Sequence, residues 1–89
     1  MKDIEIVSLY TAKRFEHIQK ILDSCNRIEQ LSFLPHYVED QKRIIEHTVN
    51  KFQPHGYFKR MSYRLQCQDI INKYVNIFWD SFTEKINNL

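Results

Sequence analysis

The densest run of chemically capable side chains is His55-Gly56-Tyr57-Phe58-Lys59-Arg60-Met61-Ser62-Tyr63-Arg64, with Lys51 just ahead of it. On a helix, Arg60 and Arg64 stand four apart and share a face. That spacing suits two guanidinium forks to a phosphate or to a partner's carboxylates. Tyr57 or Phe58 offers a ring on which an unpaired base can stack. Lys51, Tyr57, Lys59, Arg60 and Arg64 are therefore the candidate contacts to an acidic partner or a nucleic acid. The same run also reads as a solvated basic face with Phe58 and Met61 packed on a core.

Charge sharpens this choice. Residues 1–40 carry a net charge of −2, residues 41–73 carry +5 and residues 74–89 carry −1. The whole chain is only +2, short of the strongly basic stripe of a dedicated nucleic-acid binder. Gln53-Pro54-His55-Gly56 can pass as the turn of a helix-turn-helix, but core-like apolar residues follow it where a DNA reader would present polar ones.

Other chemistries find less support. Cys25 and Cys67 stand alone on helical stretches, without a C-x-x-C pair or a histidine at ligand spacing, so both read as buried thiols. His17, His36, His47 and His55 are dispersed singly, which points to no metal site. Spacing yields no Ser-His-Asp, Cys-His or paired-carboxylate arrangement, and Asp80 with Glu84 reads as a solvated helix face. The expectation is a protein that is not an enzyme and carries no cofactor.

These side chains must be positioned by few elements. The chain has 89 residues, enough for one domain over 1–89, with one Gly, two Pro and one Ala. So few turn formers leave little room for an all-β fold or a Gly-rich phosphate loop. No apolar run is long enough to cross a membrane, and no signal-peptide core follows Met1-Lys2, so the expected setting is cytoplasmic.

Ile4, Val7, Phe15, Ile18, Ile21, Leu22 and Cys25 fall within roughly 60° of one direction at helical spacing. They predict a first helix with Asp3 as N-cap, running to about Ser32 with a bend or end near Asn26. Ser32-Phe33-Leu34-Pro35 breaks the chain, since proline disfavours a helical residue before it and fits a first turn. A second helix then turns Val38, Ile45, Val49 and Phe52 inward and ends at Gln53-Pro54-His55-Gly56, where the glycine can cap it. A third runs from about Tyr57 to Asn88 with an apolar arc near 200°, wide enough for more than one neighbour. The fold class is all-α, a three-helix up-down-up bundle with a long C-terminal helix.

Helix lengths carry a further expectation. At 1.5 Å per residue the three helices rise roughly 43, 27 and 48 Å, so the third overshoots the first by about 20 Å at its C-terminal end. That overhang would expose Tyr74, Ile77, Phe78, Trp79, Phe82 and Ile86, the candidate partner or dimer interface. A second copy in a two-fold homodimer would cover it. Alternatively, a break near Ser8–Thr11 would give a short extra N-terminal helix folded over it. The same geometry puts Cys25 and Cys67 at similar heights on neighbouring helices, too far apart to bond. Function follows as a small non-enzymatic interaction protein of inhibitor, immunity or regulatory-adaptor type. The rival is a nucleic-acid-binding regulator using segment 55–64.

Overall fold

Val7, Thr11, Phe15, Ile18 and Leu22 repeat at steps of three and four, and all five are buried along one side of a helix. In the computed structural model, which describes residues 3–89, this is α1, Asp3–Ser24. Met1 and Lys2, read above as opening the chain without a leader, lie outside the described residues. Asp3 and Glu5 sit in the first turn of α1, where carboxylates complement the positive end of the helix dipole. Helix α1 is unbroken at Ser8–Thr11, so there is no separate N-terminal helix among the described residues. Thr11 fits the apolar stripe because its hydroxyl donates to the Val7 carbonyl at 2.8 Å and so is not buried unpaired.

The first helix stops at Ser24, close to the bend or end expected near Asn26 and short of Ser32, and local hydrogen bonding shows why. The Cys25 amide turns back to the Leu22 carbonyl at 3.1 Å. The Gln30 side-chain oxygen then accepts the backbone N–H groups of Asn26 at 2.8 Å and Arg27 at 3.1 Å. These bonds fix a reversal followed by the single-turn α2, Ile28–Leu31. Leu31 is buried while Ile28 is exposed, which is how the apolar stripe resumes on a new axis.

Helix α3, Leu34–Asn50, descends beside α1 with Leu34, Val38, Ile45 and Val49 buried and Pro35 in its first turn. Leu34 is itself helical, so the break falls one residue earlier than the proline rule alone places it. Phe52, expected to point inward, lies past the helix end and is 46% exposed. Helix α4, Tyr57–Asn87, then climbs along both predecessors with Tyr63, Cys67, Ile71 and Phe78 buried. The topology is up-down-up in one bundle with principal extents of 49 × 20 × 17 Å.

The register between α1 and α4 corrects the length argument. The Phe15 and Tyr74 rings stack at 5.8 Å, and Lys85 Nζ donates to the Asp23 carbonyl at 3.2 Å. Both pairings set the two parallel helices about sixty residues apart along the chain, so the whole of α1 lies beside 63–85. The overhang is therefore at the start of α4, where Tyr57–Ser62 project about 9 Å beyond α1. The expected 20 Å overshoot at the C-terminal end is absent. Six residues between α3 and α4 carry the chain below the start of α1, and a first helix shortened to 22 residues completes the difference. The same register places Cys25 and Cys67 near opposite ends of the bundle, not at similar heights. Both are free and buried.

Near the projecting end, Tyr63 packs into the core and its hydroxyl donates to the Val49 carbonyl at 2.7 Å, tying α4 to the end of α3. Burial pushes both the Tyr63 phenol and the Cys67 thiol above their ordinary values, with the Tyr63 hydrogen bond opposing burial at the thiol. Both groups are held neutral in the folded chain. Their contribution is complete below the unfolded pKa values and is lost as pH rises through the folded ones. Chemical-denaturation midpoints are thus expected to stay flat up to about pH 8 and to decline above about pH 9, as unfolded thiol and then phenol ionise. Cys67→Ala should flatten the first part of that decline. Ile71→Ala, which empties a site 1% exposed, should cost about 2–5 kcal/mol in urea unfolding.

Candidate functional site

Gly56 launches α4 from a backbone with φ of 101°, a region that side-chain-bearing residues rarely adopt. Its carbonyl accepts the Arg60 amide at 3.0 Å, so the helix is regular from its first turn although, among the described residues, no other helix flanks that turn. Every residue from Tyr57 to Ser62 is exposed. Phe58 is 81% exposed and Leu65 is 65% exposed, values far outside those of the packed aromatics and aliphatics. Phe58, Met61 and Leu65 follow three- and four-residue spacing on the side of α4 turned away from buried Tyr63, Cys67 and Ile71. The Tyr57 and Phe58 rings meet edge to face at 5.3 Å.

Beside this apolar stripe is a notch of about 180 Å³ lined by Gln53, Tyr57, Arg60, Met61 and Arg64. Arg60 and Arg64 take part in no ion pair among the described residues; the pairs there are Lys20 with Glu16 at 3.5 Å and Arg43 with Asp40 at 3.1 Å. The Gln53 side-chain oxygen is buried with no hydrogen-bond partner. Buried polar atoms are nearly always paired, so this oxygen is an exception, and the charge of the two guanidinium groups beside it is not cancelled within the described residues. Arg64 also lines a larger cleft of about 380 Å³ between α3 and α4, with Glu46, Asn50 and Gln68. Two guanidinium forks at i and i+4 can take a carboxylate or phosphate in bidentate fashion, while the stripe alongside takes apolar groups.

Lys51, Tyr57, Lys59, Arg60 and Arg64, the first candidate set from the sequence, are all exposed at this one end of the bundle. Phe58 and Met61 do not pack on the core, because the core ends at Tyr63. The second set is divided. Phe78 is only 2% exposed, and Tyr74, Trp79 and Phe82 are half-buried against the core of the same chain. Phe78, Trp79 and Phe82 satisfy one another, with centroids 5.1, 5.6 and 5.3 Å apart. Ile77 and Ile86 remain exposed. The aromatic cluster expected to need a partner is thus largely covered by its own fold, since α1 reaches to its level.

Sequence reasoning missed Gln53 and Leu65. Leu65 falls outside both the basic run and the apolar arc of the second half of α4, and its i+7 relation to Phe58 was the available signal. Among the described residues no three His, Cys, Asp or Glu side chains gather as a metal site would require. No described helix is long and apolar enough to cross a membrane. Comparison of the chain with models of known families, with curated proteins and with solved structures finds no match.

The two aromatic groups should respond oppositely to truncation. Phe58→Ser and Leu65→Ser are expected to change unfolding free energy by no more than about 0.5 kcal/mol, as exposed positions do. Phe78→Ala should lose about 3–5 kcal/mol. Thermal and urea unfolding of the three variants makes the comparison.

Proposed function

We propose that this chain is a small non-enzymatic helical binding protein that grips an acidic protein partner with the projecting first turns of α4. The single observation carrying the reading is the coincidence, over positions 58–64 at the start of α4, of the most exposed large apolar side chain and two exposed arginines four residues apart that form no ion pair among the described residues. Phe58 at 81% exposure and Leu65 at 65% are costly to leave in water if nothing covers them. Aromatic and arginine side chains are also the residues that most often dominate binding energy at interfaces. Carboxylates of the partner would seat in the Arg60–Arg64 notch, with Lys51 and Lys59 steering approach and Phe58, Met61 and Leu65 supplying apolar contact. Such a protein acts by occupying its target, as inhibitors, immunity proteins and adaptors do, and two buried thiols suit a cytoplasmic setting.

Self-association as a homodimer through the second half of α4 has less to support it. With Phe78 buried and its aromatic neighbours half-buried, Ile77, Ile86 and Leu89 are the large apolar side chains that stay exposed there. A specific interface needs about 800 Å² from each partner. Nucleic-acid binding is favoured by the +5 stretch over 41–73 and by the exposed Tyr57 and Phe58 rings.

A photo-crosslinking residue placed at Phe58 in the native host should capture a protein with an acidic surface, whereas the same residue at exposed Asn76 should not. Reversing Lys59, Arg60 and Arg64 to Glu should abolish capture without unfolding the helix by circular dichroism. A salt-sensitive mobility shift with single-stranded nucleic acid, lost in the same variant, would replace the protein reading with the nucleic-acid one. Sedimentation as a dimer at micromolar concentration, lost in Ile77→Asp/Ile86→Asp, would restore the homodimer.

A further inference from the structure

Arg14 lies half-buried between α1 and α3, and among the described residues no carboxylate pairs with it. A partly desolvated guanidinium with no counter-ion is unfavourable unless other groups hold it. Two groups do so here. Its Cζ sits 5.2 Å from the centre of the Tyr10 ring, and one of its terminal nitrogens donates to Gln41 Oε1. Tyr10 is steadied in turn by its hydroxyl, 3.4 Å from Thr48 Oγ1. All of these partners are neutral, so the positive charge is fixed in place but not cancelled. Only one of the five guanidinium N–H donors is engaged by Gln41.

The space in front of this guanidinium is a groove of about 410 Å³ lined by Tyr10, Lys13, Arg14, His17, Tyr37 and Gln41. That volume falls in the range of small-molecule sites, roughly 300–1,000 Å³. No carboxylate contributes to the lining. Tyr37 stands half-buried on the α3 wall, braced by the edge of Phe33 with centroids 6.3 Å apart. Lys13 and His17 are exposed at the α1 rim. A simple inorganic anion would leave the tyrosine walls unused, and an uncharged ring compound would leave the guanidinium without an acceptor. A ligand joining a phosphate to a flat ring uses both.

We propose that the α1–α3 groove binds a nucleoside monophosphate, its phosphate held by Arg14 with Lys13 and its base lying against Tyr37. The groove does not include any α4 residue, and the proposal stands apart from the reading of the projecting end.

Titration of the ¹⁵N-labelled chain with adenosine and uridine 5′-monophosphates tests it by NMR. Saturable shifts of the Arg14 Nε–H and the Gln41 side-chain amide are expected, with adenosine and inorganic phosphate each binding at least about tenfold more weakly. Tyr37→Leu and Arg14→Gln should each weaken nucleotide binding by about tenfold, and Lys73→Gln, at an exposed position outside the groove, should leave it unchanged. If Arg14→Gln does not fold by circular dichroism, Lys13→Gln, at an exposed position, should still weaken it by about threefold. Three results would overturn the proposal: no saturable shift with either nucleotide at millimolar concentration, inorganic phosphate binding as tightly as the nucleotides, or wild-type affinity in folded Arg14→Gln.

Discussion

The parallel seam between α1 and α4 is the contact on which the remainder of this molecule depends. Val7, Phe15, Ile18 and Leu22 on one helix and Tyr63, Cys67, Ile71 and Phe78 on the other are buried in one continuous cluster. The stacked Phe15–Tyr74 pair and the bond from Lys85 to the Asp23 carbonyl hold its register. Parallel neighbours cannot be joined by a tight turn, so an antiparallel α3 must return the chain between them. The length of that return, together with the six residues after it, decides how far α4 starts below α1.

Exposure at the two ends of α4 follows from that one offset. Where α1 runs alongside, rings such as Phe78 find a wall and leave solvent. Where α1 has not yet begun, Phe58 and Met61 find none, although their chemistry is no less apolar. The basic residues of the same turns then stand beside uncovered apolar groups, an arrangement that combines steering charge with buriable area. The Arg60–Arg64 notch and the Arg14 groove differ in kind. In the first, the guanidiniums sit on an exposed helix end; in the second, Tyr10 and Gln41 hold the guanidinium in place within the fold.

Much was legible from residue order. Helical periodicity located Val7, Phe15, Ile18 and Leu22 as one face, and Val38, Ile45 and Val49 as another, because a side chain's direction on a helix is set by its position in the 3.6-residue turn. The clustering of Lys51, Lys59, Arg60 and Arg64 was likewise visible, since neighbours along a helix or its adjoining turn remain neighbours in space. An end near Asn26 was expected beside a continuation to Ser32, but the contact that decides it, Gln30 folding back to cap Asn26 and Arg27, was not visible, since it has no periodic signature. Nor was the groove at Arg14, whose walls come from positions 10–17 and 37–41.

By itself the sequence determined that the chain is helical, where its breaks lie to within a few residues, and which side of each helix is apolar, since these are properties of local backbone preference and side-chain spacing. Only the tertiary structure decided which apolar residues are covered. Burial depends on the axial offset between helices that are remote along the chain, and an error of one loop or one helix end shifts that offset by several turns. The same offset removed the overhang from Trp79 and Phe82 and placed it at Tyr57 and Phe58.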